Sequence, residues 1–469
     1  MTTSDRIHAF RDDVLGDLDA TGVAELVATR QIKPREAAEA ALSRIEAVSA
    51  LDAVEHLDPD RALDAADREQ SGVFAGVPTL VKDNVDVAGW PTGNGSEAYT
   101  PRLARTDSDF VRMWATQGLT FLGKSRLPEF GFSASTEFMT RPPVRNPWNP
   151  AYSSGASSGG SAALVAAGAV PIAHANDGGG SIRIPAAACG LVGLKPTRGR
   201  ITPDRLDETM PVKVVTQGVV TRSVRDTARF FAAAERAYRN PKLPAVRLVE
   251  GPGTTRLRIG VLYDSVTGPS DRDTRTATSD TAELLARLGH HVEEIPLPIT
   301  EQFARDFSLY WGFLAWYVTA TGKRGYGPDF DPARTDNLTK GLAAAFRAGY
   351  RRFPATLYRL RRTEREYRAL FRTYDVVLSP VLAHTTPKLG YLSPTADFDR
   401  LFARLHAYVG FTPLNNVAGG PAISLPLGRT RSGLPLGAHF SADLGDERTL
   451  LELAFELEQA APFARIQDA

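Results

Sequence analysis

Residues 153–199 read SSGASSGGSAALVAAGAVPIAHANDGGGSIRIPAAACGLVGLKPTRG, and this stretch decides how the rest of the chain is read. Two glycine–serine loops flank a small-residue run, Ser158 to Gly168, that predicts a helix, and Val170 to His174, which predicts a strand. The second loop, Gly178-Gly179-Gly180-Ser181, leads into a predicted helix start over Ser181 to Ala188, and Leu191 to Leu194 is strand-like again. Glycine adopts backbone angles closed to other residues, so three in a row let several N–H groups converge on one point. A helix N-terminus adds partial positive charge there. Such a point can stabilise an oxyanion, with Ser181 placed to attack a carbonyl. On these residues alone, a glycine-rich turn with an N-capping serine accounts for the pattern at least as well.

Outward from this stretch, elements alternate. Residues 18–49 predict two helices, the second opened by Pro34. Gly76-Val-Pro-Thr-Leu-Val-Lys82 is a short apolar strand ending in a lysine, Asp107 to Gln117 a helix and Leu119 to Leu122 a strand. Later strands are predicted at Leu257 to Leu262, His291 to Ile295, Asp375 to Ser379, Ala422 to Leu425 and Pro435 to Phe440. Helices are predicted at Thr276 to Leu288 and Glu447 to Gln459, and residues 300–373 are mostly helical. This alternation predicts an α/β fold, with a β-sheet core covered by helices on both faces. No Pro/Gly/Ser linker interrupts it, so residues 1–469 are read as one domain, with a core over about 76–200.

Composition narrows the function classes. Hydrophobic residues make up 43% and charged residues 23%, and 55 basic against 54 acidic side chains leave a formal charge of +1. That balance gives no electrostatic reason to expect nucleic acid or an anionic membrane as partner, and favours a small molecule. One cysteine, Cys189, permits no internal disulfide, in keeping with a reducing compartment. Met1 to Asp12 is polar, without the apolar stretch of a secretory signal, so a cytoplasmic location is expected.

Two short patterns match known motifs and fail on context. Gly118-Leu-Thr-Phe-Leu-Gly123-Lys124-Ser125 fits G-x-x-x-x-G-K-[ST], but its middle reads as a buried strand and Pro128 interrupts any following helix. Gly155-Ala156-Ser157-Ser158-Gly159 fits G-x-S-x-G, yet Pro143 to Ser154 before it reads as a loop rather than the required strand. No feature marks His384, His406 or His439 as its partner.

The stretch 153–199 resembles the signature of the amidase signature family, approximately G-G-S-S-G-G-S-A through D-T-G-G-S-I-R-I-P to G-L-K-P-T. Gly159, Gly160, Arg183, Pro185 and Gly193 to Thr197 match directly, while Ala156 and Gly178 depart by small residues only. The likeness extends to Gly76–Asp83, Arg145-Asn-Pro-Trp148-Asn, Pro421 to Pro426 and the helix after Gly445-Asp446-Glu447. The resemblance implies the amidase-signature fold around a mixed sheet, and a metal-free, cofactor-free amidase. It implies Ser181 as nucleophile, Ser157 as a bridging serine held by a cis peptide, and Lys82 as base. It places the oxyanion-hole amides at Gly178, Gly179, Gly180 and Ser181.

The chemistry suits those residues. A serine hydroxyl needs a base within hydrogen-bond reach, and a lysine serves only when burial disfavours its charged form. Asp177 and Arg183 are expected to support the site, His174 to be a packed strand residue, and Cys189 an inert buried thiol. No His/Cys/Asp/Glu cluster has metal-ligand spacing.

Within the family, His174 to Pro185 and Gly123 to Phe130 resemble the 6-aminohexanoate cyclic-dimer hydrolases, nylon-oligomer enzymes near aryl acylamidase-type amidases and carbamate-cleaving urethanases. The amidotransferase A subunit usually has Met-Asp-Glu-Phe where this chain has Leu127-Pro-Glu-Phe130. That subunit, or a catalytically silent scaffold, remains the alternative to an amidase acting on a small-molecule amide and water. Substrate choice is expected from residues 300–373 and the loop around Asn415 and Asn416, with Trp311, Trp316 and Asn416 as pocket candidates. Helical spacing makes packing the commoner role for such aromatics. Assembly into a homodimer is left open.

Overall fold

The computed structural model describes residues 6–468, without the side chains of Arg205 and Leu206, so Met1 to Asp5 of the polar N-terminus lie outside the described residues. An eight-stranded mixed sheet runs in the order His291–Glu294, Arg258–Val261, Val376–Pro380, Pro435–Ser441, Ala422–Arg429, Val192–Lys195, Thr216–Thr221 and Ile172–Asp177. The first three strands pair in parallel and the rest antiparallel. Every residue of Val376–Pro380, Val192–Lys195, Thr216–Thr221 and Ile172–Asp177 is buried. Successive side chains of a strand point to opposite faces, so both faces are covered. The α/β expectation therefore holds, with a mixed sheet between helices.

A second sheet of three strands, Val54–Leu57, Thr120–Ser125 and Pro78–Lys82, sits against the Ile172–Asp177 edge. Side chains make the junction. Thr79 Oγ1 donates to Ile172 O at 2.8 Å, and the Lys82 N–H donates to His174 Nδ1 at 3.1 Å. The lysine is thereby held beside the strand that leads into the triple-glycine loop.

Several elements depart from the sequence reading. Pro143 to Ser154 is not a plain loop: Arg145–Asn146 and Asn149–Ser153 form a two-stranded hairpin, braced where Asn146 Nδ2 donates to Ser153 O and Ala188 O. That hairpin lies outside the main sheet, so it does not supply a nucleophile elbow. The helix after Ser181 begins at Arg183, two residues later than expected. Gly123 to Ser125 lie within a strand, where Lys124 is buried against Asp83 at 3.1 Å, which removes any phosphate loop. Beside the main sheet, residues 300–373 form helices Glu301–Gly325, Asn337–Gly349 and Phe353–Leu370. Among the described residues no helix is long and apolar enough to cross a membrane.

Candidate active site

Lys82 closes a strand buried along its whole length, and its side chain is fully enclosed. Its Nζ lies 2.8 Å from Ser157 Oγ and 2.7 Å from Asn176 Oδ1. Burial pushes the Lys82 ammonium down from its ordinary value to about 7, against a smaller upward pull from the Asp177 charge. Near neutral pH a large share of this side chain therefore carries a lone pair, unlike an exposed lysine.

Ser157 follows a cis Ala156–Ser157 peptide and precedes helix Gly159–Ala166, all eight residues of which are buried. The chain at Gly131 passes directly over it: Gly131 has φ +71°, and a Cβ there would lie 3.0 Å from Ser157 Oγ. Only glycine meets both demands at that point.

The second loop is pinned by Asp177. Its Oδ1 accepts the Gly180 N–H at 2.7 Å, and its Oδ2 accepts the Ile182 N–H at 3.1 Å. Arg183 meets the same carboxylate through Nε at 2.9 Å and Nη2 at 3.0 Å. Burial alone would raise the Asp177 carboxyl, but the Arg183 guanidinium holds it well below the usual carboxylate range. Arg183 also donates to Asn415 Oδ1, Asn416 Oδ1 and His439 Nε2. This network fixes the loop from both sides. Ser181 emerges from it partly exposed, and its hydroxyl makes no hydrogen bond among the described residues. The structure thus brings Lys82 and Ser157 into contact, and leaves Ser181 unbonded to either.

Three expectations need correction. The Gly180 N–H is taken by Asp177, which leaves the amides of Gly178, Gly179 and Ser181 without hydrogen bonds among the described residues. Asn416 is not a pocket wall: its Nδ2 donates to Asp177 O, Asp177 Oδ1 and Val214 O, and its Oδ1 accepts from Arg183, which saturates the amide. Trp316 packs on Phe313 and on Phe346 of the neighbouring helix, with ring centroids 6.0 and 5.2 Å away. Its surroundings are helix–helix packing.

The aromatic residue at the loop is one the sequence analysis passed over. A Cβ on Gly179 would meet the Phe307 ring at 3.4 Å, and Trp311 stands one helical turn on, 6.0 Å from Phe307 between centroids. The i, i+4 spacing of Phe307 and Trp311 places both on one helix face, the signal that would have found it. Asn176 was also missed, because an asparagine inside an apolar strand carries no motif of its own. Tyr310 is buried and bonded to Val212 O at 2.6 Å, a packing role.

His174 stacks on Phe110 at 4.3 Å, accepts the Lys82 N–H with Nδ1, and contacts Gln217 Oε1 through Nε2 at 3.0 Å. Burial takes it down to about 3, so it stays neutral. Cys189 is buried, and burial pushes its thiol up, away from the reactive thiolate. Among the described residues no group of three or more His, Cys, Asp or Glu side chains could hold a metal ion.

Comparisons with known proteins place the chain in a family. The Amidase family profile matches residues 36–451. The "Putative amidase AmiC" of Mycobacterium leprae is 51% identical over 464 residues, covering 98% of this chain and 99% of that protein. The 6-aminohexanoate-cyclic-dimer hydrolase of Paenarthrobacter ureafaciens is 35% identical, covering 95% of each chain. A solved 6-aminohexanoate cyclic dimer hydrolase superposes with a TM-score of 0.88 at 32% identity, over 97% of this chain and 99% of the other. Beside a buried lysine facing a serine and a glycine loop carrying a partly exposed serine, the likeness along nearly the whole length leads to one conclusion: this chain belongs to the amidase family, hydrolases acting on amide C–N bonds.

Proposed function

We propose that the chain hydrolyses a small-molecule amide through a covalent acyl-enzyme, with Ser181 as nucleophile, Ser157 as proton relay and Lys82 as base. The observation that carries this reading is the Lys82–Ser157 contact of 2.8 Å around a lysine brought down to about 7. A lysine with its lone pair toward a hydroxyl can accept a proton, and Ser157 can take one in turn from Ser181. Attack by Ser181 Oγ on the amide carbon forms a tetrahedral intermediate, whose oxyanion the N–H groups of Gly178, Gly179 and Ser181 are free to receive. Collapse breaks the C–N bond, and the proton held on Lys82 returns through Ser157 to the leaving amine. Water, deprotonated by the same relay, then releases the acid and restores Ser181.

The likeness to 6-aminohexanoate-cyclic-dimer hydrolase and to an aryl acylamidase supports substrates of the nylon-oligomer, aryl-amide or carbamate kind. Phe307 at Gly179 supports an apolar group beside the scissile bond. Ser181→Ala tests the assignment: the folded protein should lose hydrolysis of an anilide, while Ser157→Ala alone losing it would move the nucleophile to Ser157. Assaying the purified chain with an anilide, an aryl carbamate, and linear and cyclic aminohexanoate dimers ranks the substrates. No turnover of any of them without added subunits would favour an amidotransferase-type role.

A further inference from the structure

We propose that Asn176 is a positioning residue that orients the Lys82 amine, its uncharged side-chain oxygen taking one N–H so that the nitrogen lone pair can face Ser157. The proposal rests on the triad reading above and concerns how the base of that triad is oriented.

Lys82 Nζ has two side-chain partners, Ser157 Oγ at 2.8 Å and Asn176 Oδ1 at 2.7 Å. A neutral amine has two N–H groups and one lone pair. With one N–H committed to an acceptor that has no proton to give, rotation of the amine about its Cε–Nζ bond is restricted, and the lone pair can be turned to the Ser157 hydroxyl. Asn176 can fill this place because it sits in strand Ile172–Asp177, paired with Gln217, and is nearly buried. Its amide also carries no charge. A carboxylate at the same 2.7 Å would favour the ammonium form and cancel the effect of burial.

The charged groups around the lysine are arranged consistently with this. Asp177, the next residue, is bound by Arg183 at 2.9 Å. Asp83, which follows Lys82, is paired with Lys124 at 3.1 Å. His174, which meets the Lys82 backbone N–H, is neutral. The side chain that touches Nζ is thus an uncharged acceptor, while both neighbouring carboxylates are engaged elsewhere.

The test uses two near-isosteric variants, Asn176→Asp and Asn176→Leu, and follows the rate of inactivation by a phosphonofluoridate across pH, which needs no knowledge of the substrate. Asn176→Asp should move the acid limb of that profile to higher pH by about 1–3 units, the range produced by an opposite charge in contact. Asn176→Leu should leave the limb at or below its wild-type position, because the ammonium loses an acceptor. It should also slow the reaction by about 10-fold or more through loss of positioning. Limbs that move together, or a Leu variant reacting at the wild-type rate with the wild-type profile, would overturn the proposal. If the Asp variant does not fold, the Leu profile and rate decide alone. Ser181→Ala run in parallel separates the two readings. A labelled Ser181→Ala protein contradicts the triad itself, whereas an unlabelled one beside unshifted Asn176 variants contradicts only the role of Asn176.

Discussion

The signature segment and the helices over residues 301–370 are built on opposite principles. Around Asp177, hydrogen bonds set the order: one carboxylate gathers the N–H groups of Gly180 and Ile182, two nitrogens of Arg183, and Asn416 Nδ2. In helix Glu301–Gly325 aromatic contacts stand out, such as Phe313 on Phe353 at 4.7 Å and Trp316 on Phe346 at 5.2 Å, beside an ion pair of Asp306 with Arg359. Removing one partner from directional bonds between buried charges strands the other, whereas apolar packing adjusts to changes of shape at modest cost. The loop that presents Ser181 is fixed by directional bonds, and the packing of the helices beside it is replaceable.

The largest effect should come from the hydrogen-bonded side. Lys82→Met should lower kcat/KM by about 10²–10⁴-fold or more, since a general base contributes on that order. In the wild type, kcat/KM should fall below about pH 7 as Lys82 takes up a proton. The same variant should be no less stable than wild type, and more stable by about 1–2 kcal/mol near pH 7 in chemical unfolding. The sign follows from linkage. The unfolded lysine keeps its proton up to its ordinary value, while the folded one sheds it near 7, so the penalty is absent above the ordinary value, grows as pH falls, and is complete below about 7. A destabilised Lys82→Met protein would show that the two hydrogen bonds of Lys82 outweigh its burial.

Breaking the Asp177–Arg183 pair should cost nearly as much in stability as losing the base costs in rate. Arg183→Met leaves a buried carboxylate uncompensated, worth about 3–5 kcal/mol in unfolding. A loss under about 1 kcal/mol would erase the contrast between the two regions. Trp316→Ala, on the replaceable side, should lower stability by about 1–3 kcal/mol for a half-buried ring and leave kcat unchanged. Phe307→Ala is the smallest and the most specific: KM for an apolar amide should rise several-fold, with kcat within about 3-fold, as expected for uniform binding. If Trp316→Ala changed KM and Phe307→Ala did not, the pocket wall would have to be redrawn around the Phe313 cluster.

Much of this was legible in the chain. Lys82 at the end of an apolar strand, and the glycine run before Ser181, are local signals, and the strands at 258, 376, 422 and 435 announce themselves by apolar runs. Thr216–Thr221 drew no assignment although it lies inside the sheet, because a central strand buried on both faces shows no alternation and this one contains a glycine and two threonines. The saturation of Asn416, the capture of the Gly180 N–H and the approach of Phe307 to Gly179 are long-range facts. Each joins residues distant in sequence or depends on which way one peptide faces, and neither composition nor periodicity encodes that.

The site of the covalent bond identifies the nucleophile most directly. Intact protein treated with a fluorophosphonate or sulfonyl fluoride, digested and sequenced by mass spectrometry, should carry one adduct, on the peptide containing Ser181 and at that hydroxyl. Lys82→Met should abolish that labelling near neutral pH. An adduct on Ser157 or Cys189 in the wild-type protein, with Ser181 unmodified, would contradict the assignment of Ser181 as the nucleophile.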